Sequence, residues 1–201
     1  MKLLAINPNT SEDFTQRVYE TIKTYAAPTT QFKAVNSKSG PRSIESIYDA
    51  ILSSPGTLEI VIEEGKDYDA FLMACYADHP VIAAVREITN KPVLGIAEAS
   101  MHMACMLGHR FSIVTSTDSL VPILTDHVKN FGLSDRCASI RAVGLPILSA
   151  EAAGRANAFA SISQTCKDVL EQDGAEVICL GSAGMTGMDR EIQQELGIPV
   201  L

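Results

Sequence analysis

The stretch VICLGSAGM, residues 177–185, is an apolar run of strand length that breaks into a glycine-rich turn, with Ser182 at the break. AFLMACYADHP, residues 70–80, breaks in the same way around Cys75. A short apolar run ending in small residues and a turn is the pattern of a buried strand at its carboxyl end. Outward from these two, strand-length apolar runs recur at 3–6, 31–35, 93–96, 111–114, 138–143 and 199–201, with 70–74 and 177–180 between them. Helical patterns separate the runs. In TSEDFTQRVYETIKTYA, Phe14, Val18, Ile22 and Tyr25 lie on one helical face, and Thr10 with Asp13 forms a capping-box pattern at its start. Strand–helix alternation of this kind predicts an α/β fold whose parallel sheet is covered by helices on both faces.

The order of parts repeats. The strand at 3–6 runs into NPNTS and a helix, and the strand at 111–114 runs into TSTDS and the helix LVPILTDHVKNFG. Downstream of each, at nearly the same distance along the chain, comes the strand that breaks at Cys75 or at Ser182. The repeat predicts two similar halves, 1–95 and 96–201. IPVL at 198–201 reads as a strand with no helix after it, so a closing helix is expected to be missing.

Composition narrows the functions. The chain has 201 residues, 46% hydrophobic, with a formal net charge of −8. Its sixteen basic residues form no run, which disfavours a nucleic-acid partner. The richest apolar stretch, 92–108, is broken by Glu98 and His102, so no membrane span is expected. MKLLAINPNTS reads as a first strand rather than a signal peptide, which points to the cytoplasm. The five cysteines have irregular spacings, no CxxC and no zinc-like histidine spacing, so no metal site is expected and four of them read as small buried hydrophobes.

In parallel sheets, ligands bind beyond the carboxyl ends of the strands, where NPNTS, TSTDS, CYADHP and GSAGMTG converge in this reading. Hydroxyls and amides at helix starts suit an anion or a developing oxyanion. Simple capping by Thr10, Ser11, Thr115 and Ser116 explains either segment alone. Cys75 beside free amides is expected to favour its thiolate. Pro80 suits the first turn of the next helix, and Asp78 or His79 a cap, in preference to a Cys75–His79 pair. His102 reads as core packing; His109 and His127 read as surface or helix-end residues.

Taken together, INPNTS (6–11), GPRSIES (40–46), ACYADHP (74–80), VLGIAEASMHMA (93–104), RFSIVTST (110–117) and LGSAGM (180–185) resemble the hydantoin and allantoin racemases of the Asp/Glu/hydantoin racemase superfamily, in the family's order. The resemblance implies two pseudo-symmetric parallel-sheet α/β halves with the active site between them, no cofactor, no metal, a small-molecule substrate and a homo-oligomer. It implies two cysteines on opposite faces of the substrate, one taking the proton next to a carbonyl and the other returning one. Carried onto this chain, the first is Cys75. The second position, in the family's LGCAGM, holds Ser182.

A hydroxyl is a far weaker acid than a thiol, so two-faced proton transfer is expected to be impaired. An engineered Cys→Ser replacement is the favoured explanation, because the motif is otherwise intact; a natural one-cysteine decarboxylase or isomerase and a chain that has lost activity are the others. The expected substrate contacts are Asn9, Thr10, Ser43, Ile44, Tyr76, Ala77, Thr115, Ser116, Thr117, Ala183 and Gly184, those after Cys75 and Ser182 through their amides. ADHP departs from the family's commoner DPG, which bears on the local turn. A two-lobed small-molecule binding protein would use the same helix starts without a reactive thiol.

Overall fold

The structure, a computed structural model, describes residues 1–77, 79–145 and 155–201, and of residues 155, 156 and 183 the backbone alone. The chain divides into two units, Met1–Ile96 and Ala97–Leu201. In the first, β1 (Lys2–Asn7) pairs in parallel with β2 (Gln31–Asn36) on one side and β3 (Ala70–Met73) on the other, and β4 (Val93–Gly95) extends the sheet beyond β3. In the second, β5 (Phe111–Thr115) lies between β6 (Cys137–Ala142) and β7 (Val177–Leu180), again in parallel. The two sheets share one strand order about their central strands.

Burial explains why these runs are strands. Every residue of β5 and β7 is buried, as are the last four of β1, which is what a parallel sheet covered on both faces requires. The outer strands β2 and β6 are only half-buried along most of their length. The core of the first unit gathers Leu4, Ile6, Phe71, Met73, Val81 and Val85. That of the second gathers Val114, Ile162, Cys166, Val169, Ile178 and Ile192. Burial of a side chain of this size stabilises by roughly 1.5–3 kcal/mol. The expected strand at 199–201 is a single parallel bridge from Ile178 to Val200, on the flank of β7 that corresponds to β4 beside β3.

Among the described residues the α-helices are α1 (Glu12–Tyr25), α2 (Ile47–Glu64), α3 (Val81–Ile88), α4 (Ile96–Leu107), α5 (Leu120–Asn130), α6 (Arg155–Asp173) and α7 (Asp189–Leu196). The cap of α1 differs from the capping box expected of Thr10. Ser11 is the cap, and its Oγ accepts from the Phe14 amide at 3.3 Å. Thr10 points its amide and hydroxyl at the Pro41 carbonyl instead, so the loop after β2 has claimed it. The apolar face of α1 also fades along its length: Phe14 is buried and Tyr25 is exposed.

Helix α2 turns its small residues inward. Ala50, Ser53, Gly56, Thr57 and Val61 are buried, whereas Ile47, Tyr48, Ile51, Leu52 and Ile62 are exposed. Gly56 suits this approach, because a Cβ there would press on the hydroxyls of Ser37 and Ser39. His102 corrects another expectation. It is exposed, its Nδ1 2.8 Å from the Glu98 carbonyl, because the buried stripe of α4 runs through Ala97, Met101 and Ala104 and passes beside it.

Candidate active site

The two quoted strand breaks occupy the same station in their units. Leu3 stands opposite Ala70 and Ile6 opposite Met73 across the β1–β3 pair. Phe111 stands opposite Val177 and Val114 opposite Leu180 across β5–β7. One residue further, the Ala74 amide donates to the Ile6 carbonyl at 2.9 Å, and the Gly181 amide to the Val114 carbonyl at 2.7 Å. The next residues are Cys75 and Ser182, each the first beyond the last ladder bond of its strand pair, where the backbone leaves the sheet.

Cys75 is 8% exposed and packs with Ile44, Ala50 and Ala77 in one buried cluster. Of the expected contacts in this unit, the structure therefore brings Ile44 and Ala77 to Cys75; Tyr76 is buried beside it in sequence. Ser43 is half-buried, and its Oγ donates to Glu45 Oε1 at 2.9 Å. Sequence reasoning passed over Ala50. Its signal was the small-residue spacing Ala50, Ser53, Gly56, Thr57 on one face of α2.

The loop after Cys75 is fastened by His79, which is 1% exposed. Its Nδ1 accepts from the Val81 amide at 3.2 Å, so His79 caps α3, whose N-cap position is Pro80. Burial pushes the imidazole down to about 4. Asp78, the other expected cap, lies outside the described residues.

The NPNTS turn is held by a residue the sequence reading left out. Asn7 is 1% exposed, and its Nδ2 reaches Asn9 Oδ1 at 2.8 Å, the Ser11 carbonyl at 3.1 Å and Thr15 Oγ1 at 3.1 Å. Asn9 Oδ1 also accepts from the Ser11 amide at 2.8 Å. The turn is thus tied to itself. Asn7 stood inside the quoted motif, but burial decided its role, and burial is not local.

The TSTDS turn is built differently. Thr115 Oγ1 donates to the Gly181 carbonyl at 3.0 Å, linking the ends of β5 and β7. Thr117 Oγ1 lies 2.9 Å from Ser119 Oγ. Neither Thr115 nor Ser116 caps α5, which starts at Leu120 with Ser119 before it. Ser116 is 3% exposed, and its Oγ has no hydrogen-bond partner among the described residues. An unpaired buried hydroxyl costs about 1–3 kcal/mol.

Ser182 is 6% exposed, and the Gly184 amide points to its Oγ at 3.4 Å. Residues Ala183–Met185 form a 3₁₀ turn that follows Ser182, and the Met185 amide donates to the Ser182 carbonyl at 3.0 Å. The other thiols differ in setting. Burial pushes Cys137 up to about 11 and Cys166 up to about 12, which leaves both as inert packing groups. Cys179 is fully buried in β7. Among the described residues, no group of three or more His, Cys, Asp and Glu side chains could hold a metal ion, and no helix is long and apolar enough to cross a membrane.

Two α/β units of one strand order, each placing a thiol or hydroxyl at the same strand end, define a class of two-unit parallel α/β proteins. The chain belongs to the Asp/Glu/hydantoin racemase family, whose family model matches residues 3–201. It is 41% identical to a hydantoin racemase of Pseudomonas sp. (strain NS671), over all of this chain and 80% of that protein. The solved allantoin racemase from Klebsiella pneumoniae superposes with a TM-score of 0.94 at 36% identity, over all of this chain and 82% of that one. That of Pseudomonas fluorescens gives 0.94 at 34% identity, over 100% and 84%.

Proposed function

We propose that this chain is a racemase of 5-substituted hydantoins, allantoin among them, that works through side chains alone. The equivalence of Cys75 and Ser182 at the ends of β3 and β7 carries the reading. The Cys75 thiolate takes the proton at C5 of the ring. The electrons pass to the adjacent carbonyl oxygen, giving an enolate held by amides that follow the two strand ends, those of Tyr76, Ala77, Ala183 and Gly184. One such donor is worth about 3 kcal/mol of barrier. The Asn9 carboxamide nitrogen and the hydroxyls of Ser116 and Thr117 hold ring oxygens and nitrogens, with Thr10, Ser43 and Ile44 bordering them, while Thr115 joins the strand ends beneath through Gly181.

The second face needs a proton donor at residue 182. A serine hydroxyl gives its proton to a carbanion poorly without a base, whereas a thiol there would face the Gly184 amide, which favours the charged sulfur. The test is proton exchange at substrate C5 in heavy water, with optical rotation followed in parallel. Ser182→Cys raises racemisation by about 10²–10⁴-fold, and the serine form still exchanges C5 on one face. If the substitution leaves racemisation unchanged, the two-sided reading is wrong. Ser182 also favours a second reading, a single-thiol enzyme such as a decarboxylase, whose product is reprotonated by Cys75 alone; turnover of a malonate by the serine form would select it. A thiol at Cys75 that is inert to alkylation and unprotected by ligand would select a small-molecule binder instead.

Self-association is also proposed, with a second copy as the partner. The exposed Ile47, Tyr48, Ile51 and Leu52 of α2 support it. Sedimentation should show an oligomer that Ile51→Glu dissociates. A cytoplasmic setting fits the reading, because it keeps Cys75 reduced.

A further inference from the structure

His79 and Ser53 form a buried pair that the proton transfer does not use. They are 1% and 0% exposed, and His79 Nε2 lies 2.6 Å from Ser53 Oγ. Ser53 Oγ donates to the Ala50 carbonyl at 2.9 Å. A hydroxyl has one proton, so Ser53 accepts at the histidine and Nε2–H donates. Nδ1 is then the bare nitrogen, which is what the Val81 amide needs as an acceptor. The His79 carbonyl also accepts from the Ile82 amide at 2.8 Å. Each partner fixes the next, and the network assigns the tautomer.

The chain of bonds has a direction. It begins at the first turn of α3, passes through His79 and Ser53, and ends on the backbone of Ala50, whose side chain packs against Cys75 and Ile44. Four residues before His79, Cys75 leaves the sheet. The segment carrying the thiol is therefore fixed at one end by the ladder bond at Ala74 and at the other by His79. We propose that His79 is a positioning residue for Cys75, tying the loop that follows the thiol to the helix against which the thiol packs. Both of its ring nitrogens are engaged within the protein, so it acts through the loop and not on the substrate. The proposal rests on the reading of Cys75 as the proton-abstracting group.

The test uses Ser53→Ala, His79→Asn and His79→Gln in the full chain. Asparagine keeps an acceptor for the Val81 amide but falls short of Ser53. Glutamine places its carboxamide nitrogen near Nε2 and restores the donor to Ser53. The readouts are kcat and KM for C5 deuterium exchange, and the rate of Cys75 alkylation by iodoacetamide as a function of pH, read by peptide mass spectrometry.

Ser53→Ala and His79→Asn should lower kcat by about tenfold to a hundredfold, with KM within about twofold, and should shift the Cys75 alkylation profile. His79→Gln should recover most of the loss. Folded variants with the parent's kcat and alkylation profile overturn the proposal. So does a loss of thermal stability with both kinetic readouts unchanged, which marks a purely structural clamp. Where the histidine variants do not fold, Ser53→Ala decides alone, since it removes a single hydroxyl. A Cys75→Ala control separates the two claims. If it still exchanges C5, the catalytic reading fails, and alkylation of Cys75 in the other variants still decides the role of His79.

Discussion

At the end of β1 the Asn7 carboxamide is held by Asn9, Ser11 and Thr15, and the turn closes on itself. At the end of β5 the matching residue, Thr115, binds across to Gly181, and the next hydroxyl, Ser116, is buried with no partner among the described residues. The strand-end residues that follow differ in a complementary way. The self-contained turn accompanies the thiol, Cys75, and the open one accompanies the hydroxyl, Ser182. The backbone station is the same in each unit, down to the ladder bonds at Ala74 and Gly181, while the side chains differ. A backbone station is set by strand register, which both units share. What a side chain does there is set by partners that the two units do not share.

The comparison breaks most sharply at the thiol. Cys75→Ser makes the two stations chemically alike, and C5 exchange should fall by roughly 10²–10⁴-fold. Heavy-water exchange followed by NMR measures this. Exchange surviving at the parent rate would move the base elsewhere.

The next effect is acid sensitivity in the first unit. The folded His79 imidazole sits near 4, below its unfolded value near 6.5, so the unfolded chain takes up a proton first as pH falls. The associated stability is complete above about pH 6.5 and is lost as pH falls towards 4, by about 3 kcal/mol at most. Urea titrations at pH 7 and pH 4 should show this loss, and His79→Gln should remove that part of it. Among the described residues, the second unit has no buried histidine to add a matching slope.

Smaller effects separate the two turns. Asn7→Ala should cost about 2 kcal/mol in denaturant unfolding, because it strands the oxygens that the carboxamide now satisfies. Ser116→Ala should change stability by no more than about 1 kcal/mol, and in the stabilising direction, since it removes an unpaired buried hydroxyl. The same substitution should raise KM if that hydroxyl meets the substrate. A large loss of stability from Ser116→Ala would mean that the two turns are built alike after all.

Much of the fold was legible in the sequence because its signals are local. The run VICL is the strand Val177–Leu180, and the runs near 3–6, 31–35 and 111–114 mark strands within a residue or two. Parallel pairing followed from the alternation with helices, and the matched stations of Cys75 and Ser182 from the repeat. The cap of α1 was misread by one residue because Thr10 and Ser11 are both hydroxyls, and a carbonyl at Pro41 decided between them. α2 was harder still. Ile47, Tyr48, Ile51 and Leu52 face outward and Ala50, Ser53, Gly56 and Thr57 inward, an arrangement that hydrophobic patterning does not encode.

By itself, then, the sequence determined where the strands end and which side chains stand at those ends, since both depend on neighbours a few residues away. The tertiary structure decided which polar groups are already engaged. His79 meets Ser53 across 26 residues, and Thr115 meets Gly181 across 66. A hydrogen bond is satisfied by whatever the fold brings within about 3 Å, and no local pattern encodes that neighbour. For the same reason the sequence could name Ser116 as a hydroxyl, and only the packed interior could leave it without a partner.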